Sequence, residues 1–392
     1  MVCVPVWNEV PFAGRHHVGA WPAVASDWEA LEMLRRHGPR VSVLIKALNE
    51  ENHIAGAIES AIAVMEGMSG EVILADSLST DRTVEIARKY PIQIVSLSRI
   101  KDRSCGVGAQ LGYQYSSGDY VCVMDGDQRL HRGFLAAAID CLEADQTLAG
   151  VGGMIVEREE GNLEYIKRST RDDSDRRPGH VTRLDCGGVY RRSAIESIGY
   201  LTDRNLHSGE ELDLGARLAA QGWRLARIDQ LALDHFGHSG SAYALLMQRV
   251  RSRIAFGSGE IFRAALGRPH FATIMRYNWK VFALWTAVHF WWLSLAAAPF
   301  VASSVPQLIG WLAALILIPI ATMAVRCRSI SVGLYSVVAW NVFALCFIPG
   351  ILRPRVDPGA WIASRRVEAD VTRRRAATSD EGGRFEVSPL TA

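Results

Sequence analysis

From Val281 to Val325 the chain carries no Asp, Glu, Lys or Arg, and after "RCRS" a second uncharged stretch runs from Ser329 to Leu352. One membrane helix needs roughly 20 apolar residues, so the first stretch is too long for a single span, and "SSVPQ" at 303–307 divides it. Spans are expected near 280–302, 306–325 and 331–351, making residues 278–352 a transmembrane region of two to three helices. Core helices of a soluble protein usually keep a polar face, and these stretches have none.

Basic residues set the orientation only in part. Arg263, Arg268, Arg276 and Lys280 precede the first span, and Arg326 and Arg328 lie between the second and third, which puts both groups on the cytoplasmic side. Arg353, Arg355, Arg365 and Arg366 follow the third span, which would then exit on the far side. One segment is therefore re-entrant or lies in the interface, and the sequence leaves open which.

The 392 residues suggest one sizeable domain with attached parts. A net charge of +2 gives no reason to expect a nucleic acid partner. Seven cysteines without CxxC or Cys/His ligand spacing argue for a reducing compartment and against a zinc site. The N-terminus has neither a basic start nor an apolar h-region, so residues 1–40 read as a leader with one helical stretch, "DWEALEMLRRHG", and not as a secretory signal. The tail 353–392, charged and rich in small residues, reads as largely disordered and cytosolic or interfacial.

Between leader and spans, short Val/Ile-rich runs alternate with amphipathic segments. "VSVLIKA" (41–47), "EVILAD" (71–76), "IQIVSL" (92–97) and "YVCVMD" (120–125) are expected strands, with helices at 51–65, 82–89, 107–116 and 133–144. That alternation implies βαβ units and a parallel, Rossmann-like sheet. Beyond 150, "AGVGGMIVE" and "LDCGGVY" read as strands, 210–221 as a helix, and "WRLARI" and "LALDHF" as further strands.

Ligands of open α/β sheets bind beyond the carboxyl ends of the strands. Three of these strands end in carboxylates or their amides: Asn49-Glu50-Glu51, Asp76, and Asp125-Gly126-Asp127. Two aspartates so close raise each other's pKa unless a cation sits between them. Gly126 leaves room for close approach of a ligand, and one or two carboxylates completed by substrate phosphates are the usual setting for Mg²⁺ or Mn²⁺. The segment "GVGAQLG" (106–112) follows a loop and has the wrong spacing for a dinucleotide fingerprint.

Five blocks, "VSVLIKALNEENHIAGAIESAI", "VILADSLSTDRTVEIARKY", "SSGDYVCVMDGDQRL", "CGGVYRRSAIESIGY" and "GEELDLGARLAAQGWRLARI", resemble in order and spacing the family-2 glycosyltransferases of the GT-A fold, of the membrane-anchored bacterial type. The resemblance covers about residues 40 to 255, within a domain at 41–265. It implies a sugar-nucleotide site with Asn49 and Glu50 in the nucleotide-contacting loop and Asp76 at the base or ribose. Ser77 replaces a frequent second aspartate of the family. Asp125 would reach ribose or metal, and Asp127 a Mg²⁺ or Mn²⁺ bridging the diphosphate. Ala109 stands where an arginine is common, so that role passes to Arg103 or Lys101, or is absent.

An inverting transfer needs a carboxylate to take the acceptor's proton, and the resemblance puts Glu211 there, where Asp is more usual, with Glu210 beside it. The competing reading of this block, an acidic helix N-terminus favoured by the dipole, is set behind catalysis by Glu211, whereas for Asp81 helix capping is the reading adopted; Asp213 either caps or pairs with Arg217. His235, and less so His238, matches a further metal or diphosphate contact. "QRVRSR" (248–253) is similar to the Gln-x-x-Arg-Trp block of processive synthases, so Gln248 and Arg251 are candidate diphosphate or acceptor contacts. Ser252 replaces the tryptophan, which disfavours processive polymerisation; a basic amphipathic helix resting on anionic headgroups accounts equally for the segment.

The reading implied is a multi-pass inner-membrane enzyme with a cytoplasmic catalytic domain. It would move a sugar from a nucleotide-diphosphate donor to a lipid-linked or saccharide acceptor, in cell-envelope or extracellular polysaccharide synthesis. Two rivals remain. A nucleotidyl- or phosphotransferase would need a basic, glycine-rich loop where this chain has "ALNEEN", and a non-catalytic scaffold retaining the fold would be expected to have lost the base or the aspartate pair.

Overall fold

The first strand, β1 (Val41–Ala47), is buried over nearly its whole length: Val41, Val43, Ile45 and Ala47 face one core, and Leu44 faces the other between Ser42 and Lys46. A computed structural model describes residues 40–158, 174–237 and 241–370. The leader helix, His238 and the chain after 370 lie outside the described residues. Around β1 lie β2 (Gly70–Asp76), β3 (Gln93–Leu97) and β4 (Tyr120–Asp125), all parallel to their neighbours in the order β3-β2-β1-β4. Helices α1 (Ile54–Val64), α2 (Thr83–Ala87) and α3 (Cys105–Tyr113) make the crossovers. This is the arrangement expected of βαβ units.

The second half of the sheet is mixed. β8 (Val189–Arg191) runs antiparallel to β4 and to β6 (Leu148–Glu157). The long β9 (Arg224–His235) lies parallel to β6 and antiparallel to β5 (Gln128–Leu130) and β7 (Gly179–Val181). The stretches "WRLARI" and "LALDHF" are thus one strand. Helices α4 (Phe134–Ala144), α5 (Arg192–Ser197) and α6 (Glu210–Ala220) complete the domain. One core lies under α1 and α4 and the other under α3 and α6, including Ile58, Leu74 and Phe134 on one face and Leu44, Leu111 and Leu214 on the other.

After β9 come α7 (Ala242–Arg251), α8 (Gly257–Ala265), α9 (Phe271–Val301), α10 (Val305–Cys327) and α11 (Ile330–Leu352). By length and composition the last three are apolar enough to cross a membrane.

Residues 353–370, expected to belong to a disordered tail, are ordered. Ile362 is fully buried and exchanges backbone bonds with the Gln114 side chain, donating to Oε1 at 3.0 Å and accepting from Nε2 at 3.0 Å. β10 (Ser364–Val367) then pairs antiparallel with β3 and covers that edge of the sheet. Composition suggested disorder because Arg and small residues dominate the segment, whereas pairing to an open edge uses the backbone and leaves little compositional trace.

Candidate active site

Parallel register places the strand ends side by side. Lys46 is the partner of Asp125, Ala47 of Asp76, and Asp76 of Ser96. Lys46 Nζ lies 3.0 Å from Asp125 Oδ1 and 3.7 Å from Glu210 Oε1. Burial opposes the Lys46 charge, but Asp125 and Glu210 hold the ammonium protonated, well above its ordinary range. Burial likewise works to raise Asp125, and Lys46 prevails and holds its carboxyl below the usual value. The close pair of aspartates therefore has a cation from the chain itself, one the strand pattern did not point to.

Asp127, buried, turns to a second partner. Its Oδ2 lies 3.4 Å from His235 Nε2, while Nδ1 of that ring pairs with the Glu157 carboxylate. Glu157 and His235 are register partners on β6 and β9. Desolvation lowers the imidazole pKa, yet hydrogen bonds and charge from Asp127 and Glu157 outweigh it and raise His235 to about 9. A carboxylate behind a histidine whose other nitrogen faces a second carboxylate is the donor arrangement that orients a metal-ligating ring. Among the described residues no three His, Cys, Asp or Glu side chains converge into a protein-only metal site. Such a donor set fits a divalent cation whose shell is completed by phosphates.

Gly126 sits beneath Glu50: a Cβ there would come within 2.9 Å of Glu50 Cγ. The room expected there for a ligand is taken by the chain itself, the Glu50 side chain lying over the buried glycine. The Glu50 N–H donates to Thr83 Oγ1 at 2.7 Å, and Asn49, at φ 60°, accepts from Thr80 N–H at 2.8 Å, tying the β1 loop to the β2 loop. Asp76 is 1 % exposed and spends its oxygens on Ser96 Oγ (2.6 Å), Leu78 N–H (3.1 Å) and Ser79 N–H (2.9 Å). It shapes the loop that carries Ser77. Arg103 Nε donates to the Ser77 carbonyl at 2.6 Å and its Nη2 to the Leu78 carbonyl, so this arginine clasps the loop, while Ala109 is buried in the core under α3. Asp81 accepts from Thr83 N–H at 3.0 Å and opens α2.

Glu210 and Glu211 head α6. Gly209, at φ 81°, makes the left-handed turn into it, a conformation that favours glycine. Burial pushes Glu210 above its ordinary value. Burial, and then the Glu210 charge, raise the half-buried Glu211 to about 7, and the Cys186 thiol donates to its Oε1 at 3.4 Å. Asp213 pairs with Arg217 at 2.7 Å, and Arg217 in turn donates to the Tyr200 and Leu201 carbonyls, fixing the loop before α6. The segment 106–112 lies within α3 and packs on that loop, where Gln110 Oε1 accepts from Leu201 N–H at 2.9 Å.

The structure thus brings Asp125, Asp127, Glu210, Glu211 and His235 to one edge around Lys46, with Asn49, Glu50, Asp76 and Ser77 in the adjoining loops. Gln248 and Arg251 lie exposed on α7, and among the described residues no hydrogen bond or ion pair joins them to that cluster. Lys46, Glu157 and Cys186 were missed from sequence. The available signal was a lone lysine in a strand otherwise buried.

Residues 42–199 match the sequence profile of Glycosyl transferase family 2. The chain is 29 % identical over 197 residues to the putative glycosyltransferase EpsE of Bacillus subtilis, covering 48 % of this chain and 69 % of that protein. It is 29 % identical over 92 residues to the dolichol-phosphate mannosyltransferase of Pyrococcus furiosus, which amounts to 22 % of this chain and 26 % of that one. Among solved structures, the mannosyltransferase PcManGT of Pyrobaculum calidifontis, in complex with GDP-Man and Mn²⁺, superposes with a TM-score of 0.53 at 19 % identity, covering 80 % of this chain and 87 % of its own. Residues 42–199 thus form a glycosyltransferase family 2 region, set in the mixed sheet and carboxylate edge of a GT-A fold.

Proposed function

We propose that the enzyme catalyses an inverting transfer of a sugar from a nucleoside-diphosphate sugar to a lipid-linked or saccharide acceptor at the membrane. The observation that carries this is Glu211, held near neutrality at about 7, on the edge that also carries the Asp125–Asp127 pair. A carboxylate tuned to the working pH is suited to take a proton from an acceptor hydroxyl as its oxygen attacks the anomeric carbon.

Donor binding is assigned to Asn49, Glu50, Asp76, Ser77 and Asp125, with Asp76 acting through the loop it shapes, and to Gln248 and Arg251 if the exposed α7 reaches the diphosphate. Asp127, His235 and Asp125 would hold a Mg²⁺ or Mn²⁺; the Pyrobaculum neighbour's GDP-Man and Mn²⁺ support this choice. When bound, the cation neutralises charge on the departing diphosphate. Lys46 keeps Asp125 ionised in the meantime. The three apolar helices support a multi-pass enzyme of the inner membrane whose catalytic domain faces the cytoplasm, within reach of lipid-borne acceptors. A screen of uridine and guanosine diphosphate sugars against the purified full-length protein tests the reading: turnover of one donor with Mn²⁺ or Mg²⁺ is expected, and no turnover or hydrolysis of any donor in the presence of membrane lipid would count against it.

A further inference from the structure

The apolar region leaves the catalytic domain and comes back to it. At its start, Ile274 of α9 is fully buried among Leu206, Leu212 and Ile261. At its end, Arg353 pairs with Glu260 and His207, Arg355 with Asp203, and the Val356 N–H donates to Asn205 Oδ1 at 2.8 Å; β10 then joins the sheet beside β3. A chain that departs from and returns to one face of a membrane crosses it an even number of times. Three crossings are incompatible with these contacts.

The contacts also identify the helix that does not cross. The Tyr335 hydroxyl, near the start of α11, donates to the Ala242 carbonyl at 3.2 Å, and Leu246 of α7 packs on Tyr335 and Ala339. Near its other end, a Cβ on Gly350 would lie 3.1 Å from the Gly259 Cα of α8, so the two helices touch through glycines. Between these points Phe343 stacks on Trp285 and Phe347 meets Phe262. Both ends of α11 therefore rest on elements that precede the first span. α9 and α10 form a hairpin, with Trp291 Nε1 donating to the Leu315 carbonyl at 2.8 Å, and α11 lies against it, Asn341 Oδ1 accepting from Trp292 Nε1 at 2.6 Å and Gly333 touching Ala324. The most apolar stretches are 22 % buried in α9, 6 % in α10 and 33 % in α11.

We infer that α9 and α10 alone cross the bilayer, and that α11 stays on the catalytic side, its uncovered apolar stripe resting in the interfacial layer of the leaflet the hairpin enters. The stripe is Ile330, Leu334, Leu345, Ile348 and Leu352, all exposed. Its occupant is lipid, because the stripe continues the bare surface of α10 and is flanked by Tyr243 against Tyr335, rings suited to the headgroup level. The conflict among basic residues then disappears. Arg276, Lys280, Arg326, Arg328, Arg353 and Arg355 all lie on one side, and the opposite turn at 302–304 carries no charge.

This inference rests on the membrane reading above, and the test separates the two. Single cysteines at Arg132→Cys, Ser303→Cys and Asp357→Cys, each exposed, are introduced into the full chain with its natural cysteines replaced, and labelled with an impermeant maleimide in intact and opened cells. Ser303→Cys should react from the side opposite Arg132→Cys, and Asp357→Cys from the same side as Arg132→Cys. Asp357→Cys reacting with Ser303→Cys would mean three crossings and overturn the inference while leaving a membrane enzyme. All three on one side would overturn the membrane-spanning reading itself. Should the cysteine-free chain misfold, a side-dependent fluorescent reporter after Ala392, with all natural residues kept, must report the side of Arg132; the opposite side overturns the inference. A spin label at Ile348→Cys should sit shallow and one at Leu317→Cys deep; equal depth would contradict the interfacial placement.

Discussion

Lys46 Nζ bridges Asp125 and Glu210, at 3.0 and 3.7 Å, so one buried ammonium joins the end of β4 to the head of α6. Removing one partner of a buried ionic group leaves the others uncompensated, at a cost of about 3–5 kcal/mol. Lys46→Met should lower the melting temperature of the detergent-solubilised protein by that order of destabilisation, and adding Asp125→Asn should recover part of it. A double variant no more stable than Lys46→Met would show that the two residues are not coupled.

The Asp127–His235–Glu157 line predicts graded effects on cation use. Asp127→Asn should abolish activation by Mn²⁺ or Mg²⁺ with the fold retained by circular dichroism. Glu157→Gln touches no reacting atom but loosens the ring, and should raise the Mn²⁺ concentration for half activity by about 10- to 100-fold. An unchanged cation titration in Glu157→Gln would remove the histidine from the cation site.

Glu211 predicts the pH profile. A base works deprotonated, and burial with the Glu210 charge raises this carboxyl to about 7. Transfer at saturating donor should therefore climb with pH through the region near 7 and level off above it. Glu210→Gln removes a neighbouring negative charge, so the rising limb should move to lower pH. A limb that stays in place would mean that Glu210 does not raise the group that titrates.

The sheet was legible because β1 to β4 are Val- and Ile-rich runs whose ends carry polar residues, and that pattern survives without tertiary information. The edge carrying Asp125 and Asp127 was legible for the same reason, with Asp76 at the end of the neighbouring strand, whereas Glu211 at the head of α6 was singled out only through the family resemblance. Lys46 was not, since its partner is set by β1 lying beside β4, and strand order is not written in a local pattern. Glu157 was hidden likewise, needing β6 beside β9. The three apolar helices were visible from missing charge, but their different packing was not: hydropathy treats α11 like α10, and contacts such as those on Leu246 and Gly259 set them apart.

Transfer by Glu211→Gln, measured beside donor binding, bears most directly on the account. Full-length protein in membranes, given the donor that the screen identifies and a lipid fraction as acceptor, is assayed for radiolabelled product, and donor affinity is read separately by titration. General base assistance is worth typically about 10² to 10⁴-fold. Glu211→Gln should lose transfer by about that factor with donor affinity little changed, Glu211→Asp should retain part of the rate, and Glu210→Gln should lose less than Glu211→Gln. Transfer at the unmodified rate by Glu211→Gln, with Glu210→Gln inactive, would move the base one residue; an unmodified rate in both would contradict a catalytic role for the head of α6.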